Sequence, residues 1–71
     1  MNTVTITTEF IKLQDLLKFA NLVSSGGEAK LLIQEGEVSF NGAVCTERGK
    51  KVRPGDTVSF RGETLTVAYE A

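Results

Sequence analysis

The sequence contains no histidine, and this absence argues against most enzymatic chemistry. Histidine is the side chain best suited to proton transfer near neutral pH, and it is the usual partner of a nucleophilic serine or cysteine. No two of the scattered carboxylates adjoin an apolar pattern that would separate their pKa values for acid and base work. We therefore expect a protein that is not an enzyme.

Cysteine is almost absent, with Cys45 as its single example. One cysteine cannot form an intramolecular disulfide, and the chain offers no second cysteine or histidine to share a metal ion. We interpret Cys45 as a small buried hydrophobic residue. No metal and no other cofactor is expected.

Long hydrophobic runs are also missing. No segment approaches the roughly 20 apolar residues needed to cross a bilayer, and no charged-then-apolar leader opens the chain. These features predict a cytoplasmic protein without a membrane partner. The 71 residues suit a single domain over positions 1–71, with one small core and no room for a deep pocket.

Positive charge is concentrated in one segment. The net charge of −1 argues weakly against a nucleic-acid partner, because such proteins are usually basic. However, four of the six residues from Arg48 to Arg53 are cationic and none is acidic. A loop carrying Arg48, Lys50, Lys51 and Arg53 can supply phosphate contacts. Taken alone, this run is equally well explained as a solvated surface.

Apolar periodicity predicts two helices. The first begins at Lys12 and ends near Asn21, since asparagine tolerates the left-handed backbone that closes many helices. The second begins at Ser25, which matches a capping box with Glu28, and ends at Gly36. The residues predicted to be buried on the two helices are Leu13, Leu16, Leu17, Ala20, Val23, Ala29, Leu32 and Ile33.

The Ser-Ser-Gly-Gly run over residues 24–27 superficially resembles a loop that cradles phosphate. It lacks both the Gly-Lys-Ser/Thr ending of a P-loop and the spacing of a dinucleotide fingerprint. The favoured interpretation is a tight elbow between the two helices. The free amides that open the second helix remain suitable for a phosphate contact.

Period-two alternation predicts strands on both sides of the helices. Residues 3–7 form the first strand, and Val38 and Phe40 belong to the second. Asn41-Gly42 follows and is the strongest short-range signal for a two-residue hairpin, so Val44 should begin the return strand.

The remainder of the chain predicts two more strands. A polar, basic loop runs over residues 46–51, and Pro54-Gly55 then turns the chain into a strand around Val58 and Phe60. A turn at residues 61–63 leads to a last strand containing Leu65 and Val67. The predicted fold class is α+β, a two-helix elbow packed on a small, mostly antiparallel sheet of about three to five short strands.

Several of these motifs occur in an order similar to that of the S-four RNA-binding domain, which is named after a small-subunit ribosomal protein and whose helix elbow is the αL motif. They are Ala29-Lys30-Leu31-Leu32-Ile33, Gly36, Val38-Ser39-Phe40-Asn41-Gly42 and Lys51-Val52-Arg53-Pro54-Gly55-Asp56-Thr57-Val58. The resemblance spans nearly the whole chain, from about Thr5 to Val67. The Ser-Gly-Gly-Glu-Ala-Lys elbow resembles the bacterial stand-alone members of the YaaA/YbcJ type.

The resemblance implies a non-catalytic module that docks its elbow and its basic post-hairpin loop on structured RNA, commonly ribosomal RNA or tRNA. Association with the ribosome and a monomeric state are expected. Gly26 stands where many members carry an arginine, and Gly27 leaves room for a phosphate to approach the backbone. The residues of the candidate RNA site are Lys12, Gly26, Gly27, Lys30, Arg48, Lys50, Lys51 and Arg53.

The aromatic residues are few and help to choose between kinds of nucleic acid. Periodicity assigns Phe10, Phe19, Phe40 and Phe60 to the core and leaves Tyr69 at a frayed end. Proteins that hold single strands usually stack bases on exposed rings. We therefore expect this chain to read the shape and backbone of folded RNA, although the electrostatics alone would also suit duplex DNA.

A protein-interaction module or small adaptor subunit, docking by a sheet edge, is the alternative function. The net acidity of the chain favours it. Salt distinguishes the two, because binding to phosphates weakens steeply with salt concentration whereas an apolar protein interface does not.

Overall fold

In the computed structural model, which describes residues 2–70, seven strands and two helices follow one another along the chain. The strands are β1 (Asn2–Ile6), β2 (Ile11–Lys12), β3 (Val38–Phe40), β4 (Ala43–Val44), β5 (Lys51–Val52), β6 (Thr57–Phe60) and β7 (Glu63–Tyr69), and the helices are α1 (Leu13–Phe19) and α2 (Gly26–Gln34). The predicted α+β class is confirmed, because the two helices pack on a sheet that is mostly antiparallel.

Five strands form the main sheet, in the order β1-β7-β6-β3-β4. Its inner pairings are antiparallel, and β1 runs parallel to β7. A parallel pair requires a long crossover, which the helices and the intervening strands provide. The strands β2 and β5 form a separate antiparallel ladder that the sequence pattern did not predict, since each is only two residues long.

Two tight turns set the register of the sheet. Asn41 and Gly42 have φ values of 49° and 87°, and Arg61 and Gly62 have φ values of 49° and 83°. Positive φ at both central residues is the type I′ geometry, whose twist matches that of the flanking strands. The predicted hairpin at Asn41-Gly42 and the turn after Phe60 are therefore confirmed.

The helix ends follow the predicted capping signals, with one change. Asn21 has a φ of 62° after α1 and Gly36 a φ of 79° after α2, the left-handed conformation expected of helix terminators. Ser25 Oγ accepts a hydrogen bond from the Glu28 amide at 3.2 Å, as the capping box requires. The Glu28 carboxylate, however, accepts from the amide and hydroxyl of Ser24, at 2.8 and 3.1 Å, one residue earlier than predicted. These bonds, the backbone one first, lower the pKa of the Glu28 carboxyl.

The core lies between the helices and one face of the main sheet. Every residue predicted to be buried on the helices is buried except Ala20, which is half-buried against the core. Alternate strand residues complete this core, whereas their neighbours, such as Ser39 and Thr66, point to the opposite face. The buried strand residues are Val4, Ile6, Val38, Val52, Val58, Phe60, Leu65 and Val67.

The assignment of four phenylalanines to the core is confirmed for Phe60, which is buried, and in part for Phe40, which is half-buried and packs against the core. Phe10 is half-buried, and the assignment was wrong for Phe19, which is 63% exposed. Phe19 is two residues after Leu17, so the 100° turn per residue carries it away from the buried side of α1. Tyr69, predicted to lie at a frayed end, is the last residue of β7 and is 56% exposed. Exposed rings are thus present on this protein.

Candidate nucleic-acid interface

The loop after the hairpin is attached to the start of α1 by main-chain hydrogen bonds. The amides of Leu13 and Gln14 donate to the carbonyls of Lys50 and Arg48, at 2.9 and 3.1 Å. The first amides of a helix have no partner within the helix, and Lys12 at the N-cap supplies no side-chain acceptor. The loop therefore performs the capping of α1, and this requirement fixes the position of the basic residues beside the helix.

The short ladder of β2 and β5 places two lysines side by side. Lys12 is directly opposite Lys51, and Ile11 is opposite Val52. Paired residues of an antiparallel ladder share a face, and Val52 is buried while both lysines are exposed. The lysines therefore project together into solvent. Two like charges in such a pair repel each other, and a bound anion would relieve that repulsion.

We use the name basic cluster for Lys12, Arg48, Lys50 and Lys51. The sequence predicted these residues on separate sides of the elbow, at the start of the first helix and in a flexible loop. The structure brings them together through the ladder and the capping carbonyls. Their juxtaposition has no local signal in the sequence, because about 40 positions separate Lys12 from Lys51.

Aromatic rings hold two ammonium groups of the basic cluster. Lys51 Nζ lies 4.9 Å from the centroid of the Phe10 ring, and Lys50 Nζ lies 5.1 Å from that of Phe40. A cation–π contact orients a charge without neutralising it, and it leaves the N–H groups available to an acceptor. Sequence analysis missed these contacts of Phe10 and Phe40 with the two lysines.

The ion pair between Arg61 and Glu37, with 3.5 Å between Nε and Oε1, does not involve the basic cluster. The cluster gathers four of the cations of a chain whose net charge is −1.

The remaining predicted residues lie outside the basic cluster. Gly26 and Gly27 open α2 and Lys30 is exposed one turn later. Arg53 is exposed at the turn that follows β5, where its amide donates to Asp56 Oδ2 at 2.8 Å. Asp56 also accepts a hydrogen bond from the Asn41 side chain, so this turn is tied to the β3–β4 hairpin.

A cation that the sequence analysis missed lies at the elbow. A Cβ atom added to Gly26 would be 3.9 Å from Lys18 Nζ, so the ammonium of Lys18 is beside the first residue of α2. The resemblance implied that many relatives carry an arginine at the position of Gly26. Here Lys18, from the facing helix, brings a positive charge to the same place. No local sequence pattern predicts the contact between Lys18 and Gly26, because it depends on how the two helices pack.

The part of the chain that the structure describes shows no other chemical centre. Across residues 2–70, no three His, Cys, Asp or Glu side chains meet as a metal site would require. Neither described helix is long and apolar enough to span a bilayer. Cys45 is half-buried rather than buried and packs against the core.

A helix elbow on a mostly antiparallel sheet, with a cationic loop capping its first helix, defines a small α+β module built to present a basic surface. The family model described as the S4 domain matches residues 4–68. The chain belongs to the S4 domain family.

Relatives with a similar sequence have names that refer to RNA or the ribosome. YbcJ of Escherichia coli (strain K12) is 44% identical over 57 residues, which cover 80% of this chain and 81% of YbcJ. A protein of Bacillus subtilis (strain 168), named "Probable ribosome maturation protein RlbA", is 41% identical over 61 residues, 86% of each chain. The solution structure of E. coli YbcJ superposes with a TM-score of 0.72 at 39% identity, covering 93% of this chain and 85% of YbcJ. Its description refers to an αL motif involved in RNA binding.

Proposed function

We propose that this chain binds structured RNA through the helix elbow and the basic cluster, without catalysing a reaction. The observation that carries the proposal is the basic cluster itself, in which four cations are brought together by the β2–β5 ladder and the capping of α1. Main-chain attachment means that the backbone carrying these charges does not have to be ordered on binding, which reduces the entropic cost of association.

Charge and shape favour a phosphate backbone as the ligand. Paired lysines attract an anion, and several adjacent cations match a polyanion better than a single charged group. The names of YbcJ and RlbA support RNA as that polyanion, and the name of RlbA favours ribosomal RNA over tRNA. A cytoplasmic monomer that acts on the ribosome or its precursors fits this proposal.

Seven of the eight predicted residues form two groups in the proposed complex. The basic cluster contacts phosphates at one end of α1. At the other end, Gly26 and Gly27 offer main-chain amides at the start of α2, with Lys30 on the same helix. Arg53 is exposed at the turn after β5, and we propose that it contributes a peripheral phosphate contact.

The test is an NMR titration with ribosomal RNA fragments and with tRNA at low salt. The amides around Lys12 and residues 48–51 should shift most. Lys50→Gln combined with Lys51→Gln should weaken binding strongly. Absence of shifts for the unmodified protein with every RNA would refute the proposal.

A matched control is Ser39→Glu combined with Thr66→Glu. Both pairs of substitutions make the net charge more negative by two, but Ser39 and Thr66 lie on the sheet face opposite the helices. The control pair should bind RNA nearly as well as the unmodified protein. Equal losses for the two variants would mean that net charge, rather than the basic cluster, governs binding.

A further inference from the structure

Phe19 is an exposed aromatic ring next to the proposed RNA surface. It is the last residue of α1 and is 63% exposed, although a phenylalanine ring gains most when it is removed from water. With Ile11, Asp15 and Lys18 it lines a shallow depression on the outer side of α1. This depression is the place where an apolar, planar group can be accepted.

One cation of the elbow lies beside this ring. Lys18 precedes Phe19 and lines the same depression, and its ammonium lies beside Gly26. The basic cluster lies at the other end of α1, where Lys12 is the N-cap residue. The occupant of the depression therefore combines an apolar plane with a negatively charged backbone.

Asp15 restricts the occupant further. Its half-buried side chain lines the same depression, between the levels of Lys12 and Phe19 on α1. A carboxylate repels a phosphate at this point but accepts hydrogen bonds from the amino groups of nucleobases. A base whose edge faces Asp15 and whose plane lies on Phe19 can donate a hydrogen bond to the carboxylate and stack on the phenyl ring.

We infer that Phe19 is a stacking platform for an unpaired base of the RNA. The inference rests on the proposed function and specifies its ligand: a helical RNA interrupted by an extruded nucleotide, with a flanking phosphate at Lys18. It revises the expectation that this chain reads only shape and backbone, because that expectation depended on Phe19 being buried. Stacking on an aromatic ring tolerates any base, whereas Asp15 favours bases that carry an amino group.

The experiment compares two RNA hairpins that differ by one extruded adenosine. The unmodified protein should bind the interrupted hairpin more tightly than the fully paired one. Phe19→Ala should weaken binding to the interrupted hairpin by about 5- to 150-fold, the usual range for loss of one stacked base, and should leave the paired hairpin unaffected. Because Phe19 is exposed, this variant should fold, which its thermal melting curve verifies.

Tyr69→Ala is the matched control, since this ring is also exposed, by 56%, at the end of β7. It should leave both affinities unchanged. A loss equal to that of Phe19→Ala would overturn the inference, as would a Phe19→Ala variant that still prefers the interrupted hairpin.

Fluorescence provides a second readout. The sequence has no tryptophan, so Phe19→Trp introduces a single indole reporter. Its emission should be quenched by the interrupted hairpin and not by the paired one, and an unquenched indole in the saturated complex would contradict stacking.

The design separates the two proposals. If neither hairpin binds, the proposed function fails and this inference fails with it. If both hairpins bind equally and Lys50→Gln with Lys51→Gln weakens both, the RNA function stands and the stacking role of Phe19 is refuted.

Discussion

The salt dependence of RNA binding follows from the number of cations in the basic cluster. Each phosphate neutralised by a lysine or arginine adds about 0.7 to 0.9 to the slope of log affinity against log salt. Four contacts from Lys12, Arg48, Lys50 and Lys51 contribute about −2.8 to −3.6 to the slope. These four contacts alone should lower affinity by about 50- to 150-fold between 50 and 200 mM salt.

Removing two of the four charges should make the slope shallower by about 1.4 to 1.8. For Lys50→Gln combined with Lys51→Gln, the cluster's share of the loss over the same change of salt should fall to about 7- to 12-fold. The assay is fluorescence anisotropy of a labelled RNA fragment at four or five salt concentrations, with Ser39→Glu and Thr66→Glu together as the control of equal charge change. The control should retain the full slope. A slope near zero for the unmodified protein, or one that the two glutamines leave unaltered, would refute the assignment of phosphate contacts to this cluster.

Three further predictions concern stability. Hydrogen bonds from Ser24 lower the pKa of Glu28 in the folded state, so they stabilise the fold above the unfolded-state pKa of about 4.5, and this stabilisation is lost as the pH falls through the folded-state pKa. Urea melts of the unmodified protein and Glu28→Gln should differ at pH 7, and the difference should shrink as the pH is lowered below 4.5. Gly42→Ala should cost about 1–2 kcal/mol of stability and lower Tm by several degrees, because a left-handed φ of 87° strains an alanine. Gly49→Ala should be neutral in the same thermal scan, since its added Cβ meets no atom within 4 Å. Leu16 is 0% exposed, so Leu16→Ala should lower the free energy of unfolding by about 2–5 kcal/mol, a large part of the stability of so small a domain. A urea midpoint close to that of the unmodified protein would contradict the burial of Leu16.

Much of the fold was predictable because its signals are local. Ser25 caps α2, Asn21 and Gly36 close the helices, and Asn41-Gly42 makes the hairpin, each through hydrogen bonds or φ values that depend on neighbouring residues. The buried side of each helix was predictable for the same reason, since its apolar residues recur in the sequence with the 3.6-residue period of an α-helix. Phe19 is an exception. Its apolar character predicted a place in the core, but its angular position on α1 directs it into solvent.

The candidate site was predictable in its members but not in its assembly. The charge run predicted the residues from Arg48 to Lys51 as phosphate contacts, and the family resemblance implied the same role for Lys12. Their meeting depends on the ladder that pairs Lys12 with Lys51 and on loop carbonyls that complete the hydrogen bonding of α1. The approach of Lys18 to Gly26 likewise depends on helix packing.

The sequence by itself determined the helices, the turns and most of the buried positions, because these depend on residue type and on neighbours along the chain. The tertiary structure alone decided which charges share a surface, which rings contact the lysines and that Phe19 remains in solvent. Those relations are set by contacts between residues distant in sequence, whose geometry exists only once the core has brought the helices and strands together. The basic surface of this acidic chain is the clearest result of that difference.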